Sequence, residues 1–151
     1  MSKNGRHQIE TYSFRDLSQL LELNLEQNKP NVFRENLTNL KVLNLNNNKF
    51  IHLNVSLMSN LEVLSLANNF IENVSEHDFE FIPHLKSINL DGNRVKSMDL
   101  ISSFKTFTSV YLSKTQLKYF NLSILNGKTI KHLDLSFNNI LIDELIYLNK
   151  L

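Results

Sequence analysis

The chain has 151 residues, of which 42% are hydrophobic and 21% charged, enough apolar material for one domain with a real core. Sixteen Lys and Arg face 15 Asp and Glu, so the formal charge is +1 and no single-sign excess exists to drive binding to nucleic acid or a membrane surface by general attraction. Cysteine is absent, which excludes disulfide scaffolds, thiol nucleophiles and cysteine-bearing zinc clusters, and 3 Gly with 2 Pro against 22 Asn leaves asparagine to make many of the turns.

In chain order, residues 1–11 form a polar tail. Met1 to Glu10 has no apolar run behind its basic residues and does not read as a secretory signal. No later stretch approaches the roughly 18 apolar residues of a membrane span, so no membrane segment is expected. From residue 12 a frame of the form LxxLxLxxNxΦ, with Φ apolar, takes over. It runs through Leu20/Leu23/Leu25/Asn28, Leu40/Leu43/Leu45/Asn48/Phe50 and Leu61/Leu64/Leu66/Asn69/Ile71. It continues through Leu85/Ile88/Leu90/Asn93/Val95, Phe107/Val110/Leu112/Thr115/Leu117 and Ile130/Leu133/Leu135/Asn138/Ile140. The first positions lie 20, 21, 24, 22 and 23 residues apart.

The alternation in LxLx is the period of a half-buried strand. One strand per coil cannot bury its own leucine face; stacking the coils buries it and aligns the strands into a parallel sheet. The column Asn28, Asn48, Asn69, Asn93 and Asn138 marks where each strand turns inward. A carboxamide has two donors and two lone pairs, enough to satisfy backbone groups that the bend would otherwise bury unpaired. Thr115 interrupts the column with a single donor, so the fifth turn is expected to be the least well held.

Six in-frame copies resemble the leucine-rich repeat family. The third, with Ile71, Val74, Phe79 and Ile82 behind its Asn, resembles the typical class of animal cell-surface and secreted proteins. The shorter copies, such as Val95, Met98 and Ile101, partly resemble the 22-residue intracellular class. The resemblance implies an α/β repeat solenoid over 12–151, with a parallel sheet on the concave face and short helical or extended segments on the convex face. Phe14-x-x-Leu17-x-x-Leu20 reads as the tail of an earlier coil and Leu148-x-x-Leu151 as the start of a later one. Ile142, Leu145, Ile146 and Leu148 could form an amphipathic cap.

Chemistry is sparse. The histidines are His7, His52, His77, His84 and His132, and none forms a metal-ligand pair at helical spacing. The stretch Glu76-His77-Asp78-Phe79-Glu80 reads as a solvated turn, and Gly5, Gly92 and Gly127 are too scattered to cradle a phosphate. In register, Ser109 would lie about 5 Å from His132, but Asp134, two residues along the strand, sits roughly 6.5 Å away, too far to orient the imidazole. No enzyme, cofactor or metal is expected.

What remains is display. The outward positions of the strands carry no packing duty and can carry recognition. Val42 and Val63 make a small apolar strip, while Tyr111, Lys114, His132, Asp134 and Phe137 gather aromatic and charged groups, the composition of binding hot spots. The expected function is non-catalytic recognition of a protein ligand, not nucleic acid, on the concave sheet, as part of a larger receptor or secreted protein. An intracellular adaptor or enzyme regulator, or a structural or degenerate repeat segment, are the alternatives. The location is then extracellular or cell-surface, or otherwise cytoplasmic. Four N-x-S/T sequons, at Asn36, Asn54, Asn73 and Asn121, fall on the back segments. The composition gives about three by chance, so they permit glycosylation without arguing for it.

Overall fold

A computed structural model describes residues 13–14, 16–33, 35–52, 55, 58–96, 107–120, 127 and 129–141. Six three-residue strands form one parallel sheet in chain order: β1 (Glu22–Asn24), β2 (Val42–Asn44), β3 (Val63–Ser65), β4 (Ser87–Asn89), β5 (Ser109–Tyr111) and β6 (His132–Asp134). Each begins two residues after the first apolar position of its frame, and each belongs to one coil of the stack, numbered one to six. The register aligns Leu23, Leu43, Leu64, Ile88, Val110 and Leu133 as one row. This is a leucine-rich-repeat solenoid, its sheet on the concave face.

The row is the core. Leu43, Leu64, Ile88 and Val110 are fully buried, as are Leu40, Leu61 and Leu85 at the head of their frames. Each such side chain contributes about 1.5–3 kcal/mol of apolar burial, available only because another coil lies on either side. Leu133, Leu135, Ile130 and Ile140 of coil six pack against this core but are only half buried. Among the described residues, that coil has a neighbour on one side alone.

The convex side is built from turns and extended segments. Leu20, Leu40, Leu61 and Leu85 each donate their N–H to the carbonyl three residues back, on Leu17, Leu37, Met58 and Ile82. The same bond joins Leu17 to Phe14 and Ile82 to Phe79, so the Phe-x-x-Φ-x-x-Leu spacing makes the same pair of turns at both places. Among the described residues no α-helix forms; a 3-10 turn, Glu76–Phe79, lies in the longest, 24-residue interval. Asp78 starts it by accepting hydrogen bonds from the N–H and hydroxyl of Ser75. A buried carboxylate ties down the other end: Glu35, 2% exposed, accepts the N–H groups of Ser13 and Phe14 at 3.2 Å each. Alternation of Phe33, Glu35 and Leu37 into the core is the only sequence sign of it. The proposed cap Ile142–Leu148, the pair Leu148/Leu151, Met98 and Ile101, and the sequons Asn54 and Asn121 lie outside the described residues.

Candidate ligand-binding face

The turn after each strand is fixed by its asparagine column. Asn48 donates through Nδ2 to the carbonyls of Leu25, Leu45 and Asn46 and accepts the N–H of Asn28. Asn69 and Asn93 repeat this one coil at a time, each donating to the previous coil and to its own and accepting from Phe50 and Ile71 respectively. Thr115 is completely buried and its hydroxyl donates to Leu112, but no described hydrogen bond from it reaches back to coil four. Asn138, in coil six, holds the other side of coil five: its Oδ1 accepts from the N–H groups of Thr115 and Leu117. One rung between coils four and five is therefore missing. Asp91 supplies another bond there, accepting the Ser113 N–H at 2.7 Å just as Asn46 accepts that of Ala67.

The outward positions do carry structural duty, contrary to the expectation that they are free. Asn24, Asn44, Asn89 and Asp134, four of the six central residues, each accept the backbone N–H two residues on, at 2.9–3.0 Å. These Asx turns start the bend that the buried asparagines complete. Ser65 and Tyr111 do not take part, which leaves Tyr111 as the one aromatic in the column with its side chain uncommitted to the turn. Alongside, Glu62 stands between Lys41 and Lys86, within 3.7 Å of the first and hydrogen-bonded to the second. The two ammonium groups, Lys86 foremost, hold its carboxyl below the ordinary glutamate value.

A further column was invisible to the sequence. The residue just before the buried asparagine or threonine adopts the left-handed conformation in every coil: Gln27, Asn47, Asn68, Gly92, Lys114 and Phe137, with φ between 54° and 68°. Asparagine and glycine suit this region; other side chains pay about 1–2 kcal/mol for it. In coils two and three the column is an amide ladder, Asn68 donating to Asn47, and Asn47 donates in turn to the Glu26 carboxylate beside the column in coil one. A Cβ on Gly92 would meet the Asn68 carboxamide oxygen, so a side chain there would have to turn that amide aside as well as adopt the left-handed backbone. In coils five and six the corner is filled instead by Lys114 and Phe137. Phe137 is 79% exposed, and the Lys114 ammonium lies 5.1 Å from the centre of its ring.

Around that pair the register collects the other candidates. Tyr111 faces Asp134 and Ser109 faces His132 across β5 and β6. The hydroxyls of Ser113 and Ser136 share a hydrogen bond of 2.9 Å. Ser136, through its hydroxyl and N–H, holds the Asp134 carboxyl below its ordinary value; that carboxylate is engaged in its own turn and not with His132. Asp91 goes the other way: burial raises its carboxyl above 3.8 and the neighbouring Asp134 adds to this, while the Ser113 N–H opposes it. Val42 and Val63 are register partners at the opposite end of the face, both half buried. Two of the carboxylates near His77 are taken up: Asp78 caps the 3-10 turn and Glu80 pairs with His77 at 2.9 Å. Asn36 and Asn73 are exposed on the back of their coils. Among the described residues no helix is long and apolar enough to cross a membrane.

A stack of parallel strands, its turns closed by a column of asparagines and one threonine, defines a repeat solenoid with an open sheet face. The sequence pattern named Leucine rich repeat matches residues 38–95, coils two to four, and the same frame runs on through the coils either side. Residues 38–95 thus carry the leucine-rich repeat, and the coils on either side continue the same fold. No curated protein matches it by sequence. Among solved structures it is similar to a chain of the TLR13–ssRNA13 complex, at 23% identity over 86% of this chain with a TM-score of 0.62. It is similar also to a chain of the Drosophila Toll–Spatzle complex (20% identity, 97% covered, TM-score 0.68) and to an internalin of Listeria monocytogenes (21%, 90%, 0.66). The chain spans 24%, 20% and 47% of the lengths of those three chains.

Proposed function

We propose that the chain is a non-catalytic recognition module that binds a protein ligand on its concave sheet, centred on Tyr111, Lys114, His132, Asp134 and Phe137, with Val42 and Val63 as a lesser contact. The observation that carries this reading is Phe137: a large aromatic ring, almost fully exposed, held in a backbone region that disfavours it. A solenoid built for stability alone would place asparagine or glycine there, as coils two to four do, and strain retained at an exposed aromatic is the mark of a contact residue. Toll was solved with Spatzle and TLR13 with ssRNA13. The face of this chain carries Glu22, Glu26, Lys41, Glu62, Lys86, Asp91, Lys114 and Asp134, mixed in sign, which suits a protein ligand better than a polyanion.

The wider setting we propose is a segment of a larger receptor or secreted recognition protein, favoured over an intracellular adaptor by the typical-class third coil and its exposed Asn73. Cross-linking tests the face. A photoreactive phenylalanine analogue at position 137 in the native cells should yield a discrete protein adduct that is lost with Tyr111→Ala. The same analogue at exposed Phe81, on the convex side, should not yield it. Equal adducts from both positions would remove the patch as the site.

A further inference from the structure

The flank of the stack, beside the concave face, has a charge the rest of the molecule lacks. Just past the buried asparagine or threonine, two rows of exposed residues run from coil to coil. Backbone bonds hold them in step, from Lys49 to Pro30, Phe70 to Phe50, Arg94 to Ile71 and Lys118 to Lys96. These rows carry five cations, Lys29, Lys49, Arg94, Lys96 and Lys118, and a single carboxylate, Glu72. Their net charge of +4 exceeds the +1 of the whole chain, so everything outside the rows sums to −3. Near-neutral composition conceals a basic flank.

At its centre lies an open depression of about 460 Å³ walled by Ile51 and Phe70, which are 52% and 45% exposed. Lys49 of coil two and Arg94 of coil four also line it, with the Glu72 carboxylate and Asn31. Arg94 is fixed in place: its guanidinium lies 5.8 Å from the Phe70 ring centre and 3.5 Å from Glu72. An apolar floor between two cations, one of them already oriented, selects for an apolar side chain with an acid on each side. Adjacent coils repeat at roughly 4.8 Å, so the cation-bearing coils two and four lie about 10 Å apart. An extended peptide presents residues i−2, i and i+2 on one face over about 13 Å, within reach of two flexible basic side chains.

We infer that this flank is a second binding surface, separate from the concave face, for an acidic peptide segment of the form acid-x-apolar-x-acid. Polyanions such as RNA would use the same charge but leave the Ile51–Phe70 floor without an occupant, so the peptide is the better fit.

The test is fluorescence anisotropy with the full chain and a labelled nonapeptide, Glu-Ser-Asp-Ser-Leu-Ser-Asp-Ser-Glu. Saturable binding is expected, weakened at least tenfold by Lys49→Glu with Arg94→Glu. Replacing the peptide leucine by serine, or Ile51→Ser in the protein, should weaken it about threefold, while Phe137→Ala leaves it unchanged. Circular dichroism of each variant separates lost binding from lost folding, and Lys118→Glu, distant from the core, repeats the charge test in a second coil with a smaller loss. No saturable binding, equal affinity for the charge-reversed protein, or tighter binding of single-stranded oligouridylate than of the peptide would each overturn the assignment. Failure of the concave patch in cross-linking would leave this result standing, because the two surfaces share no residue.

Discussion

In coils two to four the left-handed corner holds Asn47, Asn68 and Gly92, the buried turn residue is asparagine each time, and the inward strand residues Leu43, Leu64 and Ile88 are fully enclosed. In coils five and six the corner holds Lys114 and Phe137, the turn residue is threonine once, and the last leucine row is half buried. The backbone path is the same in both halves. Coils two to four hold residues suited to the corner, whereas coils five and six hold the exposed Lys114 and Phe137 there, the side chains proposed to meet a ligand. Exposure and left-handed backbone together single out the aromatic: Leu21 and Ile51 are exposed outside such a corner, while Gln27, Lys29 and Gln116 are left-handed and exposed but carry no ring.

The contrast can be broken by mutation, and the largest effect belongs to the core. Leu64→Ala should cost about 3–5 kcal/mol because coils lie on both sides and cannot collapse into the void. Leu133→Ala in coil six should cost only about 1–2 kcal/mol, since water already reaches it. Chemical denaturation reads both, and equal losses would mean that coil six is as well packed as coil three. Next comes the asparagine column. Asn69→Ala removes donors to Leu45 and Leu66 and the acceptor for Phe50, leaving buried groups unpaired, at about 2–4 kcal/mol. Conversely, Thr115→Asn should add the missing rung to coil four and gain about 0.5–1 kcal/mol. A loss of stability there would show that the fully buried Thr115 site has no room for the larger carboxamide.

The smallest effect is electrostatic. Asp91 has a folded-state pKa raised above 3.8, chiefly by burial, so its ionised form opposes folding and stability falls as pH rises through that raised value. Asp91→Asn keeps an acceptor for the Ser113 N–H, as Asn46 does for Ala67, and removes the charge. Denaturation midpoints followed from pH 3.5 to 7 should fall less for this variant than for the parent. A steeper fall would assign the opposing charge to another group.

Much of the fold was legible because it depends on period alone. The frame located all six strands and the buried row, and the leucines at its head mark the convex turns. The asparagine excess also resolves into distinct jobs: buried turn residues, Asx turns at Asn24, Asn44 and Asn89, and convex ties from Asn39 to Ser18 and Asn60 to Thr38. The Asx turns had a readable signal, since four of six central residues are Asn or Asp. The left-handed column did not. Gln27, Lys114 and Phe137 have no turn character, and only the shared backbone shows that they stand where Asn47, Asn68 and Gly92 stand. The Lys41–Glu62–Lys86 bridge and the basic flank needed the register as well, because their members lie about twenty residues apart in the chain.

The most direct test of a strained corner kept for binding is the thermal unfolding of the double variant Lys114→Gly with Phe137→Gly. Relief of two left-handed side chains, offset by one lost cation–π contact and by glycine's entropy, leaves a gain of about 1–2 kcal/mol. For a chain of this size that raises the midpoint by roughly 2–6 °C. A midpoint unchanged or lowered would mean that Lys114 and Phe137 serve the fold, and the division between scaffold coils and recognition coils would not stand.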